Sequence, residues 1–196
     1  MKSRKESNVE ATKAALLAVA RKHFARRGYS GAEINQIATE ARVTSGALYH
    51  HFSGKKGLFL AVAEDLEREI LHAAAATEHA DPWNRLILGF EKMIDVCATS
   101  AVQRIIFVEA PQVAGPEAWR KIELRYAFGA LRSVLGKLRG TGAIRPLPID
   151  LMAGTLLAVL REASAELIRS KHDATVRAQL NDLARGVFDL FLQKGV

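Results

Sequence analysis

The stretch Thr44 to Phe52, TSGALYHHF, sets three side chains with hydrogen-bonding tips, Tyr49, His50 and His51, beside Leu48 and Phe52, which lie four apart. On a helix that spacing buries the apolar pair on one face and turns the phenol and imidazoles to the other. Such groups donate and accept hydrogen bonds, and an imidazole gains charge near neutrality. The chemistry they offer is recognition of a polar partner. Gly46 falls at the first turn, where glycine weakens a helix but has no side chain to hold a partner off.

Elsewhere no reactive constellation forms. Cys97, between Val96 and Ala98, reads as a small buried hydrophobe rather than a nucleophile. His72 and His79 stand seven apart on one helix, where metal ligation calls for closer spacing and carboxylates. His50 and His51 are neighbours, and neighbours on a helix point in different directions. GTGAIRP has too few glycines, and no strand–helix setting, for a phosphate loop. The expectation is a protein that is not an enzyme and holds no metal and no cofactor.

Charge shows where a polar partner would sit. Residues 1–56 hold eleven Lys/Arg against four Asp/Glu, and the remaining residues hold seventeen of each, so the first 56 residues carry the entire formal excess of +7. A basic tail accounts only for Lys2, Arg4 and Lys5. Lys13, Arg21, Lys22, Arg26, Arg27, Arg42, Lys55 and Lys56 lie in sequence patterned for folding. A one-ended excess of this kind suits a polyanion-binding module, since each phosphate neutralised releases counterions. The lone cysteine forbids an internal disulfide and fits a reducing cytoplasm. Charges at Glu10, Lys13, Arg21 and Lys22 flank the first apolar run and argue against a signal peptide. LMAGTLLAVL, from Leu151 to Leu160, is about half a membrane span, so no membrane partner is expected.

The elements that would carry these groups read as helices throughout, about nine of them. Leu16, Ala20 and Phe24 give the first a buried stripe between Val9 and Arg27, and Gly28 ends it. A short second helix holds Ile34, Ile37, Ala38 and Ala41. Arg42 and Val43 turn the chain tightly, and Thr44 or Ser45 caps the third helix. A long fourth runs from about Lys56 to Thr77. Asp81-Pro82 opens a fifth, Ala101 to Glu109 a shorter one, and Pro116 to Arg139 another, with APQVAGPE as an irregular connection. Two more follow, from Ile149 to Arg169 and from Ala174 to Lys194. Val176, Leu180, Leu183, Val187 and Leu190 form a seam stepping by four and three, and Leu156, Val159 and Leu160 belong to a helix apolar nearly all round. Both helices are expected to pack on their copies in a second subunit as a four-helix bundle.

Two short helices joined by a tight turn, within a basic segment, make the helix-turn-helix plan, whose second helix enters the major groove. In INQIATEARVTSGALYHHF, Ala38 is small where the helices cross, and Ile34, Ile37, Val43 and Leu48 share a core. Tyr49, His50 and His51 then face nucleic acid. The longer run GYSGAEINQIATEARVTSGALYHHFSGKKGLFLAVAE resembles the DNA-binding domain of the TetR (tetracycline-repressor-like) family of bacterial transcriptional regulators. The likeness is close over roughly residues 8–60 and rests on GALYHHF followed by Lys55.

The resemblance implies roles position by position. Tyr49 matches the family's tyrosine that reaches backbone or base. Ser45, Gly46 and Ala47 occupy the groove-facing start of the recognition helix, and His50 and His51 match positions that touch phosphate or bases. Lys55 matches a lysine that pairs with phosphate at a helix N-terminus, and Thr44 the cap whose hydroxyl also reaches phosphate. Two departures stand out. Arg42 replaces a turn glycine, and a left-handed arginine costs on the order of 1 kcal/mol. Ala32 and Glu33 replace threonines, which removes a cap and places an acid near the DNA. They keep a rival reading open, a small-molecule-binding helical protein whose head has lost operator binding.

By the same resemblance, residues 1–54 form the DNA-binding domain and 55–196 an effector-binding and dimerisation domain with its pocket among the middle helices. Phe90, Met93, Cys97, Phe107, Trp119 and Tyr126 are candidate walls, with Arg161 as a polar contact. The expected protein is a cytoplasmic, homodimeric, ligand-responsive repressor. It would bind a pseudo-palindromic double-stranded DNA operator and be released by a small-molecule effector.

Overall fold

The computed structural model describes residues 4–193, with side chains from residue 9 onward. Lys2, the side chains of Arg4 and Lys5, and the expected helix end at Lys194 lie outside the described residues. In chain order the helices are α1 (Arg4–Gly31), α2 (Ile34–Glu40), α3 (Ser45–Phe52), α4 (Lys55–Ala75), α5 (Pro82–Cys97) and α6 (Ser100–Arg104). After a π-helical turn (Ile105–Glu109) come α7 (Ala110–Ala114), α8 (Pro116–Arg125), α9 (Ala127–Gly140), α10 (Ile149–Arg169) and α11 (Ala174–Asp189). The fold is all-α. Extended pairing among the described residues is limited to a single bridge between Ile144 and Leu192.

By packing, the chain divides into two compact units, one of residues up to Leu66 with Ser100–Trp119, the other of Glu67–Thr99 with residues from Arg120 onward. The expected division between residues 54 and 55 is one of role. The first unit by packing also takes in the start of α4 and the Ser100–Trp119 segment.

In the first unit, Leu16, Ala20 and Phe24 of α1 are wholly buried with Ile37, Leu48, Leu58 and Phe59. Phe24 meets Phe59 edge-on with ring centroids 4.9 Å apart, a contact worth about 0.5–1.5 kcal/mol beyond the area it buries. Helical geometry breaks at Gly28, with φ at +72°, before one further turn to Gly31. Any Cβ at Gly28 would strike the Glu109 carboxylate. That carboxylate accepts the Tyr29 N–H at 2.7 Å, and the Arg104 guanidinium donates to the carbonyls of Ala25 and Arg26 at 3.0 and 2.8 Å. Carbonyls and amides left unpaired at the break thus find partners on the Ser100–Trp119 segment. Sequence periodicity predicts one helix over Ala101–Glu109 and an irregular stretch after it. Instead the winding loosens to a π turn and then tightens into α7. Pro111 has no N–H to donate back to Phe107.

In the second unit, Asp81 caps α5 by accepting the Asn84 N–H at 2.8 Å, with Pro82 in the first turn. Phe188 of α11 is wholly buried, its ring edge-on to Phe90 and Trp83 of α5 with centroids 5.2 and 5.6 Å apart. Arg177 pairs with Asp95, and Arg185 with Glu91 at 2.7 Å, tying α11 to α5. The helix expected from Pro116 to Arg139 is interrupted at Tyr126. There the Leu124 carbonyl presses so close to Gly129 that any Cβ would collide with it.

Candidate nucleic-acid interface

The third helix divides as its spacing demands. Leu48 and Phe52 are buried, while Tyr49 is 55% exposed, His50 is exposed and His51 half-buried. Thr44 is the cap: its Oγ1 accepts the Ala47 N–H at 3.1 Å, and its hydroxyl proton stays available to a partner. Ser45 donates to Asn35 Oδ1 at 3.0 Å, which ties the start of α3 to α2. Asn35 was not singled out from sequence, because nothing in local spacing relates residues ten apart on different helices. A Cβ at Gly46 would meet nothing nearer than Thr44 Oγ1 at 3.9 Å. The chain's own packing therefore makes no demand for glycine at this exposed position. Ala47 beside it is half-buried.

Lys55, the first residue of α4, donates through Nζ to the Ser30 carbonyl at 3.0 Å and lies 5.0 Å from the centre of the Tyr29 ring. The ammonium is thereby fixed beside the α1–α2 connection with two further N–H donors to spare. Lys13, Lys22, Arg26, Arg27, Arg42 and Lys56 are exposed, so most of the basic side chains described in the first 56 residues lie at the surface.

Both departures take a definite form. Arg42 adopts the left-handed conformation, φ 58°, while its N–H and that of Val43 donate to the Thr39 and Ala38 carbonyls at 3.0 Å each. Ala32 is buried and Glu33 precedes α2 without a side-chain cap. The Glu33 carboxylate instead accepts from Gln36 Nε2 at 2.8 Å, and Gln36 Oε1 accepts in turn from Arg27. His23 Nε2 lies 2.8 Å from the Glu40 carboxylate, fastening α1 to α2 and holding the Glu40 carboxyl below its ordinary range.

The expected effector contacts do not converge. A cleft of about 370 Å³ in the second unit takes Phe90 and Met93 into its lining together with Leu71, Arg85, Ala127 and Leu131. Cys97 is buried in α5, its thiol pushed up by burial and then by the charge of Glu67. Tyr126 is half-buried at the α8–α9 break, and Arg161 stands exposed on α10. Phe107, in the π turn, and Trp119 belong to the first unit. Sequence reading passed over Glu67, which is 5% exposed and lies near Cys97. The four-residue series Ala63, Glu67, Leu71 was the available signal.

The expected subunit face needs correction at two positions. Leu156 and Leu160 are wholly buried within the single chain, because the face of α10 that carries them packs on its own unit. What is turned outward is Leu151 of α10, Leu183 of α11 and Leu190 just past its end, exposed at 64%, 61% and 64%, while Val159, Val176, Leu180 and Val187 are half-buried.

Comparisons with known proteins agree along the length of the chain. The family described as "Bacterial regulatory proteins, tetR family" matches residues 16–62, and "Tetracyclin repressor-like, C-terminal domain" matches residues 83–190. The Transposon Tn10 TetC protein of Escherichia coli is 26% identical over 186 residues, 94% of each chain. A TetR-family transcriptional regulator from Pectobacterium atrosepticum shares 25% identity and superposes with a TM-score of 0.67, with 100% of both chains covered. The regulator FadR from Bacillus subtilis, solved in complex with stearoyl-CoA, has the same fold at 16% identity, with a TM-score of 0.75 over 91% of this chain and 98% of that one.

Proposed function

The chain belongs to the TetR family of bacterial regulatory proteins, and from that premise we propose that it acts as a cytoplasmic homodimer on a pseudo-palindromic DNA operator. As a member it is a DNA-binding, ligand-responsive transcriptional regulator of the repressor kind. The observation that carries the finer reading is the division of α3, with Leu48 and Phe52 buried and Tyr49 and His50 presented outward. Thr44, Ser45, Gly46 and Ala47 begin that helix, and His51 and Lys55 flank its polar face. In this reading these residues meet the major groove and its phosphates.

Two heads are needed to read a palindrome, with half-sites spaced by whole helical turns. The outward Leu151, Leu183 and Leu190 are large exposed apolar side chains on the two last helices and their end, and a second copy is the cover this reading gives them. No helix of the described residues is long and apolar enough to cross a membrane. An effector in the second-unit cleft releases DNA only by favouring the conformation whose heads no longer fit the operator. Function then lies in binding, with no bond-making chemistry of the protein's own.

The test is fluorescence anisotropy with DNA from the upstream region of the protein's own gene, titrated across a salt series. The reading expects tight, sequence-selective binding with two subunits per site and a steep salt dependence. Equal affinity for scrambled DNA at every salt concentration, with one subunit bound, would remove it.

A further inference from the structure

Asn35, Gln36, Thr39 and Glu40 are the exposed side chains of α2, and three of them are already engaged. Thr39 Oγ1 donates its proton to the Asn35 carbonyl at 2.9 Å. Gln36 donates to Glu33 and accepts from Arg27, and Glu40 pairs with His23. At the start of α3, Ser45 donates to Asn35 Oδ1 at 3.0 Å. A hydroxyl has one proton to give. A phosphate oxygen only accepts, so with that proton spent Ser45 has nothing to offer one.

Asn35 holds what Ser45 has given up. Its amide nitrogen carries two N–H donors, and neither meets an acceptor among the described residues. The carboxamide is planar, so the bond that fixes its oxygen also sets the direction of its nitrogen. The first residue of the groove-facing helix thus aims a pair of donors that belong to the helix before it.

Resting on the reading of the chain as an operator-binding regulator, we propose that Asn35 touches the DNA, its amide donating to an acceptor atom of the duplex, with Ser45 as the positioning residue that aims it. A phosphate oxygen or a base edge supplies such an acceptor. Bidentate reading of adenine requires a carboxamide to donate and accept together. With its oxygen already accepting from Ser45, Asn35 is better suited to guanine O6 or N7, thymine O4 or phosphate.

The experiment selects sites for the full chain from a random duplex library and takes the enriched duplex as the probe. Fluorescence anisotropy then compares the parent with Asn35→Leu, Ser45→Ala and the double variant. Leucine matches asparagine in shape, favours a helix more and donates nothing. Asn35→Leu should weaken binding about tenfold and Ser45→Ala about threefold. Adding Ser45→Ala to Asn35→Leu should change nothing further. Equal losses in the two single variants would mean that the bond only ties α2 to α3. A Ser45→Ala effect undiminished in the Asn35→Leu background would make Ser45 itself the contact. Either result overturns the proposal.

Phosphate ethylation interference and single base-pair replacement in the probe identify the acceptor. Asn35→Leu should become indifferent to one position in each half-site. Indifference to an ethylated phosphate places the acceptor on the backbone, and indifference to a replaced base pair places it on a base edge. Sensitivity kept at every position overturns the contact. Urea melts verify that the variants fold. A parent that enriches no site removes the operator reading and this proposal with it, whereas an enriched site that Asn35→Leu binds like the parent removes this proposal alone.

Discussion

The Lys55 ammonium is held 3.0 Å from the Ser30 carbonyl, so the first residue of the fourth helix is fastened to the connection that precedes the second. Tyr29, its ring 5.0 Å away, adds a cation–π contact. A lysine fixed in this way loses less freedom when it meets a phosphate than one swinging in solvent. Lys55→Ala should therefore lower operator affinity and reduce the salt slope by about 0.9. Its cost to folding should stay within about 1 kcal/mol, since the contacts it loses are partly exposed. Anisotropy titrations over a salt series, paired with urea melts, separate the two. A salt slope equal to the parent's would mean that Lys55 only braces the head.

Tyr49 supplies a cleaner comparison. Its ring packs beside Gly54, where a Cβ would stand 3.3 Å from Cε1, while the side chain remains 55% exposed. Tyr49→Phe keeps that ring contact and deletes only the hydroxyl. Operator affinity should fall by about 0.5–1.5 kcal/mol, the usual net worth of one hydrogen bond, with the melting temperature unchanged. Parent-like affinity in the Phe variant would exclude the phenol as a DNA contact.

Much of the head is legible in sequence because its signals are local. Leu48 and Phe52 betray a buried face by spacing alone, and Thr44 or Ser45 announces a cap, which falls to Thr44 with its Ala47 partner three residues on. Lys55 on Ser30 and Arg104 on Ala25 were not legible, since each joins residues far apart in the chain that only tertiary packing brings together. Leu156 and Leu160 failed for another reason. A helix apolar nearly all round gives no sign of which face its own chain will cover. Glu67 was hidden by its company: beside Asp65, Arg68 and Glu69 it looks like part of a solvated face, and its spacing of four from Ala63 and Leu71 is a weak signal against those charges.

Arg42 tests whether a strained residue is retained for its charge. With φ at 58° it holds a conformation that costs an L-residue roughly 1–2 kcal/mol. Arg42→Gly relieves that strain but adds freedom to the unfolded chain, so the net gain in stability should be about 0.5–1 kcal/mol. If the guanidinium meets phosphate, the same variant loses about 0.9 from the salt slope. Denaturant melts and anisotropy on one protein preparation read both effects. A variant neither more stable nor weaker on DNA would leave Arg42 with no role in the turn.

Glu67 makes stability depend on pH in the direction opposite to an ordinary surface acid. Its carboxyl moves from 4.5 to about 7 on folding, chiefly through burial. Between those values the folded chain holds a proton that the unfolded chain has released, so stability is lost as pH rises through the window. The loss is complete above about 7 and amounts to something on the order of 3 kcal/mol. Glu123, which faces Glu67, adds to the penalty, and the Ala127 N–H offsets part of it. Glu67→Gln should behave much like the protonated parent at pH 5 and outlast the parent at pH 8. Thermal melts of both proteins at the two pH values measure this directly. A stability difference that is the same at pH 5 and pH 8 would place the Glu67 carboxyl in water rather than in the core.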